Sequence, residues 1–171
     1  LKEAALHYHS QGLRIFPLLP EINLPYAIGS RGYRLYKKAQ GSGVTEAEIR
    51  SFWADYPTAS IGLWTGNKSG LSAIDIDVDE FGDGNVRLAE LGAEHGFNVL
   101  DGSALVVLSP SGGRHLYWRY TDRLPPFFNR KSYKGEKHSY GFDIRNGDKG
   151  FIVLPPSARE DGSYSFENGI E

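Results

Sequence analysis

Hydrophobic spacing predicts two helices, one strand and a long loop in the first 58 residues. Apolar side chains recur at helical spacing over residues 1–12 and again over 45–56, where a Thr-x-x-Glu capping box stands at the start. Residues 13–19 form a short apolar run that prolines end, as expected of a strand. Residues 20–43 show no clear period and are rich in glycine and tyrosine, so a long functional loop is expected there.

The pattern after residue 58 predicts a mostly antiparallel sheet with helices packed on one side. Short apolar runs alternate with turn residues, and one amphipathic stretch that Asn85 can cap and Gly96 can end predicts a helix between them. The fold class is therefore α/β in the broad sense, more strictly α+β. The predicted elements are strands at 59–65 and 71–77, the helix at 85–95, a hairpin of 104–108 with 114–120, and a second hairpin of 140–145 with 151–154.

The strand predicted at 71–77 carries carboxylates at alternate positions. Because successive side chains of a strand point to opposite faces, Asp75 and Asp77 share one face. Two neighbouring carboxylates repel each other, and a hard divalent cation is the usual compensation. Asp143 is another acid between apolar neighbours in a later strand, and His115 follows a Gly-Gly turn. Together they predict a site for one or two Mg²⁺ or Mn²⁺ ions that also binds phosphate.

Each of these residues also has a structural interpretation when it is taken alone. A single inward-facing acid is often a satisfied polar group, and a lone histidine on a strand is more often structural than catalytic. Asp79 and Asp83 are expected to serve the loop and the N-terminus of the next helix, where negative charge is favourable. A calcium loop is not indicated, because Glu80 stands where that loop requires glycine and Val86 where it requires glutamate.

Composition narrows the class of protein. The 171 residues suit one domain, and no apolar run approaches the roughly 20 residues of a membrane span. The chain contains no cysteine, which excludes disulfides and Cys-ligated zinc, so no zinc is expected. No signal peptide is visible, and a cytoplasmic protein without a membrane partner is expected. Because the chain also lacks methionine, even at position 1, it is expected to be a fragment of a longer protein.

The net charge of −2 does not by itself predict nucleic-acid binding. Two stretches nevertheless interleave cations with tyrosines, a pattern that suits phosphate contact and base stacking. A pair of solvated loops is the plainer alternative. The cations concerned are Arg31, Arg34, Lys37 and Lys38 in the first stretch and Arg130, Lys131 and Lys134 in the second.

Four segments, taken in order, resemble the bifunctional DNA primase/polymerase (prim-pol) N-terminal domain of the archaeo-eukaryotic primase superfamily. Residues 59–66 resemble the strand before that family's first motif, and 74–77 resemble motif I with its paired metal-binding acids. Residues 109–115 resemble motif II, whose histidine contacts the phosphates of the incoming nucleotide. Residues 142–145, followed by 151–157, resemble motif III with the third acid. The resemblance spans nearly the whole chain and depends on the order and spacing of these segments.

The resemblance implies a small N-terminal α/β lobe at 1–58 and an RRM-like catalytic lobe at 59–171, within one catalytic domain. It implies template-directed nucleotidyl transfer in which Asp75, Asp77 and Asp143 hold two Mg²⁺ or Mn²⁺ ions. His115 would stabilise charge on the triphosphate. Further nucleotide contacts are assigned to Arg114, Arg145, Ser111 and the backbone of Gly113.

Two departures from the family pattern affect these assignments. Gly113 stands where many superfamily members have serine, so contact there can come only from the backbone. Asn23 stands where family members often have lysine before an early proline, which puts a nucleotide contact from that loop in doubt. The implied partners are a single-stranded DNA template, a primer, NTP or dNTP, and a C-terminal helicase domain in the full-length protein.

Three other functions suit parts of the same pattern. The Asp-x-Asp strand end also resembles phosphatases of the haloacid dehalogenase type, although these require a parallel sheet. A non-catalytic nucleic-acid-binding module would explain the basic stretches without the acids. A metal-dependent nuclease would use the same acids to shorten a labelled primer instead of extending it.

Overall fold

The computed structural model describes residues 1–79, 82–98, 105–124, 127–128, 141–147 and 150–167. None of the helices in these ranges is long and apolar enough to cross a bilayer. The helices are α1 (Lys2–Ser10), α2 (Arg31–Gln40), α3 (Glu46–Asp55) and α4 (Gly84–His95). The strands are β1 (Ile15–Leu18), β2 (Ser60–Trp64), β3 (Leu71–Ile76), β4 (Val78–Asp79), β5 (Gly82–Asp83), β6 (Leu105–Leu108), β7 (Arg114–Arg119), β8 (Phe127–Phe128), β9 (Phe142–Arg145), β10 (Phe151–Leu154), β11 (Ala158–Arg159), β12 (Gly162–Ser163) and β13 (Ser165–Phe166).

Antiparallel sheets form the centre of the molecule, and this confirms the predicted α+β class. The larger sheet has six strands in the order β13-β6-β7-β3-β9-β8. The smaller has three, in the order β1-β2-β10, and two ribbons, β4-β5 and β11-β12, complete the described pairing. Strand β3, which carries the alternating acids, lies between β7 and β9. The predicted hairpin of β6 with β7 is confirmed.

The second predicted hairpin is wrong, because β9 and β10 belong to different sheets. Strand β9 pairs with β3 and β8, whereas β10 pairs with β2. The physical reason is burial. Phe151–Leu154 is apolar throughout, three of its residues are buried, and it pairs with β2 at the edge of the smaller sheet, where these side chains join the main hydrophobic core. Strands β2 and β10 thus complete a sheet that β1 begins. The division into lobes at residues 1–58 and 59–171 stays a prediction.

Residues 31–40 form helix α2 instead of the long loop predicted for 20–43. The Ser30 side chain caps the helix by accepting a hydrogen bond from the backbone N–H of Tyr33. Its buried face consists of Gly32, Leu35 and Ala39, which follow helical spacing with only one large apolar side chain. The stripe was missed because glycine and alanine carry little hydrophobic signal.

An aromatic cluster joins α2 to the smaller sheet. The Phe16 ring lies 5.0 Å from that of Tyr36 and 5.5 Å from those of Trp64 and Phe151, measured between centroids. Edge-to-face pairs of this kind add to the stabilisation from burial. Because Phe151 also lines the cavity described below, the cluster supports one wall of that cavity from the interior.

The capping residues of α3 and α4 were predicted from the sequence, and the structure differs at one of them, the N-cap of α4. Thr45 and Glu48 form the predicted capping box at α3, and Gly96 ends α4 in the left-handed conformation. The cap of α4 is Asp83, which accepts a hydrogen bond from the N–H of Asn85, so Asn85 itself lies inside the helix. The side chain of Asp83 therefore serves the helix N-terminus, as expected.

Glu48→Gln is expected to lower the free energy of unfolding by about 0.5 kcal/mol at pH 7. Glu48 accepts hydrogen bonds from Lys38 and from the backbone and hydroxyl of Thr45, and these lower its pKa from 4.5 to about 2. Because the folded-state pKa is the lower one, this stabilisation is present above about pH 4.5 and is lost as the pH falls towards 2.

Urea denaturation of the wild type and Glu48→Gln at pH 7 and pH 3 measures this effect. The difference between them should shrink at the lower pH. Glu46→Gln, which removes an exposed carboxylate of the same helix, is the matched control and should show a smaller difference. An equal difference at both pH values for Glu48→Gln would contradict the assignment.

Candidate active site

Cross-strand register brings three of the predicted residues into one row. Asp75 on β3 lies opposite His115 on β7 and opposite Asp143 on β9. Residues directly opposite each other in antiparallel strands have Cβ atoms about 5 Å apart and point to the same face. His115 Nε2 lies 3.4 Å from Asp75 Oδ1, and the side chains of His115 and Asp143 are buried. The strand pairing alone therefore assembles an imidazole and two carboxylates.

The guanidinium of Arg145 lies against both carboxylates of this row. Its Nη2 is 2.5 Å from Asp143 Oδ2 and 3.3 Å from Asp75 Oδ2. Arg145 follows Asp143 by two positions on β9, so the two side chains share a face. Two partly buried carboxylates that face each other repel, and the guanidinium compensates that repulsion. The row thus already binds one cation, supplied by the chain itself.

A cavity of about 180 Å³ opens beside the row. It brings together predicted residues from three separate segments of the chain: Asp75 and Asp77, Ser111 with His115, and Arg145. The other lining residues are Ser109, Phe151, Ile152, Val153, Arg159 and Tyr164. The cavity therefore has acids on one strand and cations and hydroxyls from several others.

Backbone hydrogen bonds hold Asp77 at the end of β3. Its N–H donates to the carbonyl of Gly141 over 2.9 Å, and its carbonyl accepts from the N–H of Gly84 over 2.9 Å. A Cβ atom on Gly84 would overlap the carbonyl oxygens of Gly141 and Asp77. Glycine is therefore required at 84, and this close approach of β9 and α4 positions Asp77 at the cavity.

His115 is neutral at pH 7. Burial lowers its pKa to about 4; Asp77 and the backbone of Val153 act in the opposite direction, and Arg145 adds to the lowering. A neutral imidazole has one N–H donor and one acceptor nitrogen. Its ring lies 5.4 Å from the Tyr164 ring, centroid to centroid. His115 therefore lines the cavity without adding a positive charge, and its single N–H can serve one acceptor at a time.

Two of the predicted nucleotide ligands lie away from the cavity lining. Arg114 has the opposite parity to His115 on β7 and hydrogen-bonds Asn85 and Glu167, where it lines a separate cavity of about 300 Å³ against α4. Gly113 packs against β3, since a Cβ atom there would overlap the carbonyl oxygen of Ile76. The structure thus does not bring Arg114 and Gly113 together with the other candidates.

The cations predicted to contact nucleic acid lie on helix α2 or outside the described residues. Arg31 pairs with Asp55 at 2.5 Å and Lys38 with Glu48 at 2.7 Å. Arg34 donates to the carbonyl of Gly29, and Lys37 to the side chain of Gln40. Arg130, Lys131 and Lys134 fall outside the described residues. Nucleic-acid contact by either stretch stays a prediction.

Sequence reasoning missed Arg159 and Tyr164 at the cavity. Both follow Pro155-Pro156-Ser157, and a glycine at 162 between two short polar runs is the signal that predicts the β11-β12 turn. The Tyr164 ring lies 5.4 Å from that of His115, centroid to centroid, although the two residues are far apart in the chain. Hydrophobic patterns within single strands do not indicate which distant residues come into contact.

The carboxylate oxygens of the row suit a hard cation, although the described residues do not form a complete metal-binding site. Carboxylate oxygens are the ligands that Mg²⁺ and Mn²⁺ prefer. Within the described parts of the chain, no group of three or more His, Cys, Asp or Glu side chains is arranged to hold a metal ion. The Arg145 guanidinium contacts the carboxylates that would serve, and this contact shows that they attract positive charge.

Comparison with protein-family models identifies a family that this chain matches. The family described as bifunctional DNA primase/polymerase, N-terminal, matches residues 5–171. A search of curated proteins found no match. The matched residues include the whole row of His115, Asp75 and Asp143 and every residue that lines the cavity.

Proposed function

The chain belongs to the family of bifunctional DNA primase/polymerase N-terminal domains, and on that basis we propose that it is a metal-dependent, template-dependent primase/polymerase. Membership supports nucleotidyl transfer of the primase/polymerase type in general. The observation that supports the finer proposal is the row of His115, Asp75 and Asp143 beside the cavity. The proposed substrates are NTP or dNTP, a primer or initiating nucleotide, and a single-stranded DNA template.

We propose that Asp75, Asp77 and Asp143 hold two divalent ions, Mg²⁺ or Mn²⁺. When bound, such ions activate an attacking hydroxyl and neutralise charge on a leaving pyrophosphate. Arg145 offsets the negative charge of Asp75 and Asp143, because its guanidinium lies within hydrogen-bonding distance of both. The carboxylates of Asp75 and Asp143 are thereby held in place on neighbouring strands.

The other cavity residues bind and orient the nucleotide. The neutral His115 donates a hydrogen bond to a phosphate oxygen, and the hydroxyl of Ser111 can do the same at the turn before β7. The 3′-hydroxyl of the primer attacks the α-phosphate and pyrophosphate leaves. Positioning and charge stabilisation supply the catalysis, without a covalent intermediate on the protein.

Contacts with DNA are proposed for the two basic stretches. Helix α2 presents Arg34 and Lys37 on a partly exposed surface, and the stacked rings of Tyr33 and Tyr36 lie 5.7 Å apart on the same helix. Cations beside aromatic rings suit a single strand, through phosphate contact and base stacking. A C-terminal helicase domain in the full-length protein is part of the same proposal.

A labelled primer-template assay tests the proposed function. With Mg²⁺ or Mn²⁺ and the templated nucleotide, the primer should lengthen, and removal of the metal with EDTA should stop extension completely. The assay is run with dNTPs and with NTPs, beside the same template without primer. The wrong nucleotide for the template base is the matched control and should add little.

The other outcomes identify the rival functions. Shortening of the primer would indicate a nuclease, and DNA binding without metal dependence or product would indicate a non-catalytic module. Release of phosphate from a small phosphomonoester would indicate a phosphatase of the haloacid dehalogenase type. The antiparallel pairing of β3 with both neighbours does not suit the parallel sheet of those phosphatases.

A further inference from the structure

Asp77 is held in place differently from Asp75. The pairing of β3 with β7 and with β9 ends at Ile76, so Asp77 lies one residue beyond both ladders. Two glycines supply its backbone contacts instead: the N–H of Asp77 donates to the carbonyl of Gly141, and its carbonyl accepts from the N–H of Gly84. Because Gly84 is the first residue of α4, the position of Asp77 depends on where this helix begins against the sheet.

Arg114 connects the start of α4 to strand β7. It lies opposite Ile76 in the ladder and therefore faces the side of the sheet away from the acids. Its Nη1 donates to Asn85 Oδ1 over 2.8 Å, and Asn85 directly follows Gly84 in the helix. The Asn85 side chain also donates to Asp83 Oδ1 over 2.9 Å. The guanidinium and the first residues of α4 thus form one hydrogen-bonded group.

Apolar packing gives α4 little other support at this end. Among the described residues of the helix, Leu88 is the one large apolar side chain that is buried, in a small cluster with Ile76 and Leu116. A cavity of about 300 Å³ lies between the helix and the sheet, with Arg114 and Asn85 in its lining. The hydrogen bond between these two residues is charge-assisted and therefore among the stronger kinds. It crosses the gap that apolar side chains leave open.

We propose that Arg114 is a positioning residue for Asp77 and acts through Asn85 and the N–H of Gly84. This inference rests on the proposed function, in which Asp77 binds a divalent ion. Without the guanidinium, the first turn of α4 is released from β7, and the backbone contact that holds Asp77 weakens with it. Groups that orient metal ligands from behind typically contribute about 10- to 100-fold to metal affinity or activity.

The two contacts of Arg114 lead to different parts of the molecule. Its Nε lies 3.1 Å from Glu167 Oε1, in an ion pair that is about one-third exposed. The N–H of Glu167 donates to the carbonyl of Val106 on β6, so this contact joins Arg114 to the segment after β13. The contact with Asn85 joins it to α4 and to Asp77. Substitutions at Glu167 and Asn85 can therefore test the two contacts separately.

Titration with Mn²⁺, followed by the electron paramagnetic resonance signal of the free ion, tests the proposal without requiring turnover. Arg114→Gln and Asn85→Ala should each weaken Mn²⁺ binding roughly 10-fold. The double variant should bind as weakly as either single variant, because both remove the same contact. Glu167→Gln keeps that contact and should bind Mn²⁺ like the wild type. Arg87→Gln removes an arginine from an exposed pair with Glu90 on α4 and is the matched control for charge.

Hydrogen exchange of the backbone amides shows where the change occurs. The N–H groups of Gly84 and Asp77 should exchange roughly 10-fold faster in Arg114→Gln, because their protection depends on the start of α4. Amides of β2 and β10, in the smaller sheet, should keep their wild-type rates. Equal acceleration in both sheets would show a general loss of stability and overturn the positioning role.

Steady-state primer extension at saturating Mn²⁺ separates positioning from direct contact with the nucleotide. The KM for dNTP should be unchanged in Arg114→Gln, and a raised KM would overturn the proposal. Equal weakening of Mn²⁺ binding by Glu167→Gln and Arg114→Gln would also overturn it, because the ion pair would then be responsible. A wild-type protein that binds no Mn²⁺ contradicts the proposed function and this inference together, whereas unchanged Mn²⁺ binding by Arg114→Gln contradicts only the inference.

Discussion

Asp75→Asn is expected to slow primer extension by about a thousandfold or more, because it removes charge from the centre of the site. Asp75 is the one residue of the row that lies opposite both His115 and Asp143, and it also lines the cavity. Asparagine keeps the shape of the side chain while removing the negative charge that is proposed to bind the metal ions. Single-turnover extension of a labelled primer with Mg²⁺ measures the loss.

The fold should survive this substitution. Arg145 keeps its contact with Asp143 at 2.5 Å in Asp75→Asn, so no buried charge is left without a partner. DNA binding, followed by fluorescence anisotropy, should change little. Asp122→Asn alters an exposed acid in the turn after β7 and is the matched control. Near-normal extension by Asp75→Asn would show that the metal site has been assigned to the wrong residues.

Asp143→Asn should reduce extension to a similar degree, with a larger effect on stability. The Asp143 side chain is only 6% exposed, and its shortest contact is with Arg145. Asp143→Asn removes the shorter of the two carboxylate contacts of Arg145, at 2.5 Å, whereas Asp75→Asn removes the longer one, at 3.3 Å. A lower melting temperature for Asp143→Asn than for Asp75→Asn would separate the two positions.

His115→Ala is expected to lower kcat/KM for the incoming nucleotide by roughly 100-fold, with most of the change in KM. The neutral imidazole is proposed to donate a hydrogen bond to a phosphate oxygen in both the bound and the reacting nucleotide. Loss of such a contact weakens binding more than it slows the chemical step. Steady-state extension over a range of dNTP concentrations separates the two parameters.

The pH dependence provides a second readout for the same residue. Because burial lowers the pKa of His115 to about 4, the imidazole stays neutral from pH 5.5 to 8, and the wild-type KM should not change near pH 6.5. His95→Ala, at an exposed position at the end of α4, is the matched control. Unchanged KM and kcat in His115→Ala would rule out the phosphate contact.

The row of the site could be predicted from the sequence because each member lies on a short strand with a clear alternating pattern. Alternation fixes which side chains share a face, and a glycine turn fixes the hairpin that carries His115. Asp75, Asp143 and His115 therefore lie side by side in the sheet, as the sequence predicted. Arg114 was predicted to contact the nucleotide together with His115. The two residues are consecutive in β7, so their side chains point to opposite faces of the sheet.

The wall of the cavity formed by residues 151–153, Arg159 and Tyr164 could not be predicted in the same way. Its position depends on which strand β10 pairs with, and pairing between distant strands leaves no local pattern. An apolar run such as that of β10 predicts a buried strand but does not indicate which strand it pairs with. Arg159 and Tyr164 follow β10 in the chain. Because β10 was predicted to pair with β9 instead of β2, the positions of these two residues at the cavity were not predicted either. Helix α2 was missed for a different reason, since small residues on its buried face hid the helical period.

The connection between β9 and β10 joins the larger sheet to the smaller one. We expect this crossing between the sheets to restrict changes in the length of the connection during evolution. Asn146 at its start donates to the carbonyls of Thr121 and Leu124 over 2.8 and 3.0 Å, and Gly147 packs closely against Gly66. Asp143 on β9 and the β10 residues that line the cavity are therefore joined by a short connection that is held by hydrogen bonds at its start. We expect insertions and deletions among homologues to be rare in this connection, because a change of length would shift the β10 wall of the cavity relative to Asp143.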